Sequence, residues 1–202
     1  MLYIGQTYST SNQSKKDAEN PNYLEVNESS KTNYYTQTHL AKSHKNYKDQ
    51  RGIVRYGDQE CIIVSSNTKP RSESYNPWED EFNEDIGYIH YYGDNKTKDR
   101  NPEDTPGNKR LLEQFKISQN KDPKIRAKAI PILFFESKKP GERIFHGYGT
   151  VESVKLVTQY SGTPENKEYF SNYLFAFCVF SLKKEQEAFN WDWIDARRDH
   201  DQ

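Results

Sequence analysis

Beyond residue 52 the apolar residues arrive in short runs rich in β-branched and aromatic side chains. Each run is closed by Gly, Pro, Asn or Asp, and this confines the chain to a β-dominated fold. Gly52-Ile53-Val54-Arg55-Tyr56 and Cys61-Ile62-Ile63-Val64 flank Gly57-Asp58-Gln59, a hairpin signature. Residues 86–92, 129–135, 143–160 and 172–182 read as further strands, the third with a break near Gly147–Gly149. Two stretches show the one-sided spacing of a helix. One is residues 108–118, through Leu111, Leu112 and Phe115; the other is a closing segment, 185–198, through Ala188, Trp191 and Ile194. The strand–helix alternation of a doubly wound sheet is missing, and no internal repeat is visible. The expected fold class is α+β: a single domain built on a curved antiparallel β-sheet with flanking helices.

At 202 residues the chain has room for one domain, or one domain plus tails. Residues 1–50 are polar and rich in Asn, Ser, Lys and Tyr. They read as a partly ordered N-terminal arm, with Tyr23-Leu24-Glu25-Val26 as a possible edge strand, ahead of a domain over 51–202. Only 33% of residues are apolar, yet 14% are aromatic, so much of the core must be aromatic and some Tyr and Trp are available for binding. The 29 Lys and Arg against 30 Asp and Glu exclude a globally basic nucleic-acid coat and an acidic tail protein, but not a local basic face. No apolar run nears the roughly 20 residues that a membrane helix needs. No charged lead with a long apolar stretch opens the chain, so the expected location is the cytoplasm. Cys61 and Cys178 lie in apolar strand-like runs and read as buried free thiols.

Catalytic motifs are sparse. The histidines, His39, His44, His90, His146 and His200, form no close metal-binding pair beyond the weak i, i+5 spacing of His39 and His44. No Gly-rich phosphate loop and no G-x-S-x-G elbow occurs. The string Phe134-Phe135-Glu136-Ser137-Lys138 resembles half of a metal-dependent nuclease motif, with Glu136 on Mg²⁺ and Lys138 assisting the attacking water. Its nearest upstream acid, Asp122, sits in a turn, and one carboxylate does not hold the metal alone. A Mg-dependent nuclease using Glu136 and Lys138 is therefore the enzymatic alternative.

The densest chemistry lies in residues 78–115. Trp78 opens the acidic run Glu79-Asp80-Glu81; a Tyr-rich strand ends in Tyr91-Tyr92-Gly93-Asp94; a polar loop then closes on Gly107-Asn108-Lys109-Arg110 at a helix start, with Gln114 beyond. Reading a base outside its duplex needs these parts. An extruded base loses its stacking and wants flat aromatic faces, worth roughly 1–3 kcal/mol per base. A carboxylate accepts from the exocyclic amine of cytosine, and Asp80, Glu81 and Asp94 are the candidates. A Gly turn lets backbone approach the base edge. Donors such as Asn108, Lys109 and Arg110 suit an orphaned base or phosphates, helped by the helix N-terminus.

The aromatic–acidic motif, the Tyr-x-Gly strand end, the loop and Gly-Asn-Lys-Arg with its later Gln together resemble the SRA (SET- and RING-associated) domain, which reads methylated cytosine by flipping it. Trp78 stands where the eukaryotic domain has Tyr, and the loop over 93–107 is longer. Residues 129–135, Phe145-His146-Gly147-Tyr148-Gly149 and Ser171-Asn172-Tyr173-Leu174-Phe175 are similar to a bacterial branch. That branch is the N-terminal recognition domain of AspBHI-type modification-dependent restriction endonucleases.

The resemblance implies an SRA (PUA-like) barrel and a DNA-recognition module over 51–202. Its partner is double-stranded DNA carrying a modified cytosine, most simply 5-methylcytosine, recognised by base flipping. The implied base pocket is Trp78, Asp80, Glu81, Tyr91, Tyr92, Gly93 and Asp94, with Trp78 and Tyr91 as the stacking walls. Asn108, Lys109, Arg110, Lys96 and Arg71 are the implied DNA contacts. No catalytic residue, metal or cofactor is expected in such a module of a type II or IV restriction endonuclease. A PUA-like RNA- or protein-interaction module is the other alternative.

Overall fold

The computed structural model describes residues 2–19, 34, 52–56, 61–66, 79–83, 88–137, 139–180 and 188–189. The β-branched runs Gly52–Tyr56 (β3) and Cys61–Ser66 (β4) pair antiparallel, as their sequence predicts. Ile132–Glu136 (β7) lies on the other side of β4. Both β4 and β7 are buried along their whole length, which is why they read as continuous apolar runs rather than alternating ones. Alternate residues face opposite sides. Ile62, Val64, Ile132 and Phe134 join a core with Leu111, Phe175 and Phe177. Cys61, Ile63, Leu133 and Phe135 face a second core with Leu2, Tyr8 and Phe145. Each such apolar side chain contributes about 1.5–3 kcal/mol by leaving water.

The ladder continues through Glu142–Thr163 (β8), Asn166–Phe180 (β9), Tyr88–Tyr92 (β6) and Glu81–Asn83 (β5). The order among the described strands is β3-β4-β7-β8-β9-β6-β5, with Thr7–Ser9 (β2) added beside β8. The α+β, single-domain class stands, but among the described residues the sheet is mixed and not closed. The β4–β7 pair is parallel, in the register Ile62↔Ile132 to Ser66↔Glu136, where the sequence predicts an antiparallel sheet. The reason is the long crossover between them, which returns the chain in its original direction.

Within residues 1–50, Leu2–Tyr3 (β1) and β2 are built into the fold, followed by the helix Asn12–Glu19 (α1). Leu2 and Tyr8 are fully buried. Tyr23-Leu24-Glu25-Val26 lies outside the described residues. At the other end, Ala188–Phe189 (β10) is extended and pairs with β1, where the spacing predicts a closing helix. The open backbone groups of β1 outweigh the weak helical spacing there; Trp191 and Ile194 lie outside the described residues.

The break foreseen near Gly147–Gly149 is a bulge one residue earlier. Phe134 pairs with Gly147 and Phe135 with Phe145, leaving His146 as the extra residue beside Gly147 at φ +117°. Strand β9 starts at Asn166, ahead of the expected 172, because its polar first half pairs with β8 as a ribbon. Cys61 is buried as expected, but Cys178 is exposed, since the alternation of β9 turns Phe177 and Val179 inward instead. The predicted helix forms over Pro106–Ser118 (α2), with Pro in its first turn. A second short helix, Pro123–Arg126 (α3), follows.

Candidate nucleic-acid interface

Asp80 immediately precedes β5 and ties the end of β6 to the end of β4. One carboxylate oxygen accepts from the Tyr92 backbone N–H at 2.9 Å, and the other accepts from the Ser66 hydroxyl. Burial pushes its pKa from 3.8 up to about 7, although both hydrogen bonds act in the opposite direction. Near neutral pH the group is therefore shared between an ionised acceptor and a protonated donor. Glu81, one residue on, is exposed and lies 3.3 Å from His90 Nδ1, opposite it in the β5–β6 register.

Tyr91 and Tyr92 alternate sides of β6. Tyr91 is 6% exposed and joins the core with Ile53, Leu111 and Phe175. Burial, with the nearby charges of Asp80 and Asp94, holds its hydroxyl well above the usual tyrosine range. Tyr92 is half-buried, and its hydroxyl is raised by burial and by the charges of Glu79 and Asp80. Trp78 and Arg71 lie outside the described residues.

The turn after β6 is fastened to α2. The two Asp94 carboxylate oxygens accept from the backbone N–H groups of Gly107 (2.9 Å) and Asn108 (3.1 Å). This places a negative charge on the first turn of α2 and offsets the unfavourable placement of Lys109 and Arg110 there. Asn108 is fully buried. Its Oδ1 accepts from the Asp94 backbone N–H, and its amide donates to Pro102 O and Asn172 Oδ1. Asn172, also fully buried, donates to Gly93 O at 2.8 Å and Gln159 Oε1 at 2.7 Å. A side chain on Gly93 would collide with Asn108 Oδ1, so glycine is required for close approach. Gln114 is buried too and accepts from the Ile130 backbone N–H.

Gly107, Asn108 and Gln114 of the motif thus face inward. Lys109 is exposed, and Arg110 is half-buried with its guanidinium donating to Ile53 O at 3.4 Å. Lys96 is exposed on the loop. Sequence reasoning does not single out Ser66, Asn172 or Gln159. Asn172 carries a signal, a lone amide at the head of an apolar strand, whereas Ser66 carries none.

Glu136 is 4% exposed, and its carboxylate lies 2.7 Å from His146 Nε2. The Phe82 ring packs on that imidazole at 4.9 Å. Asp122 caps α3 by accepting from the Lys124 backbone N–H. Among the described residues no group of three or more His, Cys, Asp or Glu is placed to hold a metal. Lys138, His39, His44 and His200 lie outside them. No described helix is long and apolar enough to cross a membrane.

The family described as Restriction endonuclease AspBHI N-terminal matches residues 2–200. Three solved structures are similar. The MspJI restriction endonuclease in complex with a 27-mer oligonucleotide has a TM-score of 0.75 at 24% identity, over 98% of this chain and 46% of that one. The DNA recognition domain of the cytosine modification-dependent restriction endonuclease LpnPI has a TM-score of 0.62 at 20% identity, over 98% and 80%. The DNA modification-dependent restriction endonuclease AspBHI has a TM-score of 0.56 at 25% identity, over 73% and 68%. This chain spans less than half the length of the MspJI chain. No curated protein matches it. With nearly its whole length matched, the chain belongs to the family of AspBHI-type restriction-endonuclease N-terminal domains.

Proposed function

We propose that this chain is the specificity module of a modification-dependent restriction endonuclease of the cytoplasm. It reads a modified cytosine, 5-methylcytosine, in double-stranded DNA by holding the base outside the helix. The observation that carries this reading is the Asp80 carboxylate. It is largely withdrawn from water, fixed by Ser66 and the Tyr92 backbone, and set beside two tyrosines at the end of β6. Ionised, it accepts from the cytosine amine. Of the three acids considered, Asp80 is the best placed: Asp94 caps α2 and Glu81 faces His90 at the surface.

In this reading Trp78 supplies the stacking wall of the slot, Tyr91 backs the slot from the core, Gly93 lets the turn close behind it, and the half-buried Tyr92 meets the base edge. Lys109, Arg110, Lys96 and Arg71 face phosphates, while Asn108 positions the turn from inside. Extruding a base costs a few kcal/mol, which stacking on Trp78 offsets by roughly 1–3 kcal/mol. No step of recognition calls on a metal or cofactor, and cleavage is assigned to a separate nuclease unit.

Trp78→Ala tests the slot. The preference for methylated over unmethylated duplex should fall about tenfold, the worth of one stacking face. Affinity for plain duplex should hold. An unchanged preference removes Trp78 from the pocket.

A further inference from the structure

Charge is unevenly placed along this chain. Residues 106–128, which contain α2 and α3, carry seven Lys and Arg against two acids, Glu113 and Asp122; the other residues carry 22 against 28. The cations gather at the corner where α2 hands over to α3. Lys121, Lys124 and Lys128 are exposed there, and none of the ion pairs among the described residues uses them. The Arg126 guanidinium donates to the carbonyls of Asn120 and Lys121, both at 2.8 Å, and so stiffens the corner. Of the corner's cations, Lys128 also borders a cleft of about 250 Å³ along α2, lined with Arg110, Glu113, Gln114 and Ile130.

The distance matters. Helix α2 has 13 residues and rises about 20 Å. Its first turn packs on Asp94 beside the candidate base slot, so the corner lies about 20 Å along from it. At about 3.4 Å per base pair this equals roughly six base pairs, or half a helical turn. A rigid group of cations at that spacing, in a chain that is otherwise acidic, complements a polyanion running past the slot.

We propose that the α2–α3 corner is a second DNA contact. It grips the phosphodiester backbone about half a turn from the recognised base, through the exposed Lys121, Lys124 and Lys128. This rests on the reading that the ligand is duplex DNA, but not on which base is read.

The test is the triple variant Lys121→Ala/Lys124→Ala/Lys128→Ala, titrated with methylated and unmethylated duplexes from 50 to 200 mM salt. All three side chains are exposed, so the melting temperature should hold. Affinity should fall about tenfold or more, equally for both duplexes. The log–log salt slope should become shallower by about 0.9 for each phosphate that the variant no longer neutralises. The control Lys155→Ala/Lys167→Ala, on the β8–β9 ribbon, should leave the slope unchanged. An unaltered slope in the triple variant, a weakening confined to methylated DNA, or an equal weakening in the control overturns the proposal. If the unmodified protein binds both duplexes alike, base reading fails while the salt slope still decides the corner. If the triple variant keeps its slope while methyl preference persists, the corner fails alone.

Discussion

Asn108→Ala should lower folding stability by about 3–5 kcal/mol, a large share of the roughly 5–15 kcal/mol that holds a domain together. The side chain is fully buried and ties three segments. Removing it leaves the Asp94 N–H without its acceptor, and takes one donor each from the Pro102 carbonyl, which keeps the Thr105 hydroxyl, and from Asn172 Oδ1, which keeps the Tyr173 N–H. The orphaned N–H costs about 1–3 kcal/mol, and each of the two other lost hydrogen bonds about 0.5–1.5 kcal/mol. The neighbouring exposed change Lys109→Ala should shift stability by no more than about 0.5 kcal/mol. Denaturant unfolding of the two variants separates these roles. Equal, small effects would place Asn108 at the surface and return it to the DNA.

That contrast shows what is legible in the sequence. The spacing of Gly107-Asn108-Lys109-Arg110 marks the right turn, and the helix after it forms where its apolar spacing predicts. Which residues face inward is not legible, because it depends on Asn172, which comes from β9, far along the chain. The parallel β4–β7 pair is hidden for the same reason: strand direction follows from the path of the crossover, not from the composition of either strand. The opening strands are hidden by their brevity. Leu2 belongs to the four-residue run Met1-Leu2-Tyr3-Ile4 and Tyr8 stands alone in polar text, and they matter because they cover a face of β4 and β7 that those strands cannot cover themselves. In the sequence Asp80 is one of several acids, and only the fold distinguishes it, through Ser66.

Asp80→Asn should separate stability from recognition. In the folded protein the Asp80 pKa rises from 3.8 to about 7 through burial. The native state therefore keeps a proton that the unfolded chain has released. Stability from this group is fully present below about pH 4 and is lost as pH rises through about 7. The amide has no such loss. Relative to wild type, Asp80→Asn should gain stability steadily from pH 4 to pH 8. The full gain for a shift of this size is about 4 kcal/mol, reduced to about 2 by the partial solvent contact of the site. The same variant presents a donor toward the cytosine amine. Its affinity for methylated DNA should fall by about 1–3 kcal/mol, or roughly fivefold to 150-fold. Unfolding curves at pH 4, 6 and 8 read the first effect, and duplex titrations read the second. A pH-independent difference in stability would mean that the carboxylate is solvated and is not the acid of the slot.

A slot for one modified base between the ends of β4 and β6 has a simple consequence, read in the equilibrium affinity of the unaltered protein for two duplexes identical except for a single 5-methylcytosine. Binding at least tenfold tighter to the methylated duplex, at a fixed and stated salt concentration, is the predicted result. Equal affinity for the two would mean that no modified base is held there.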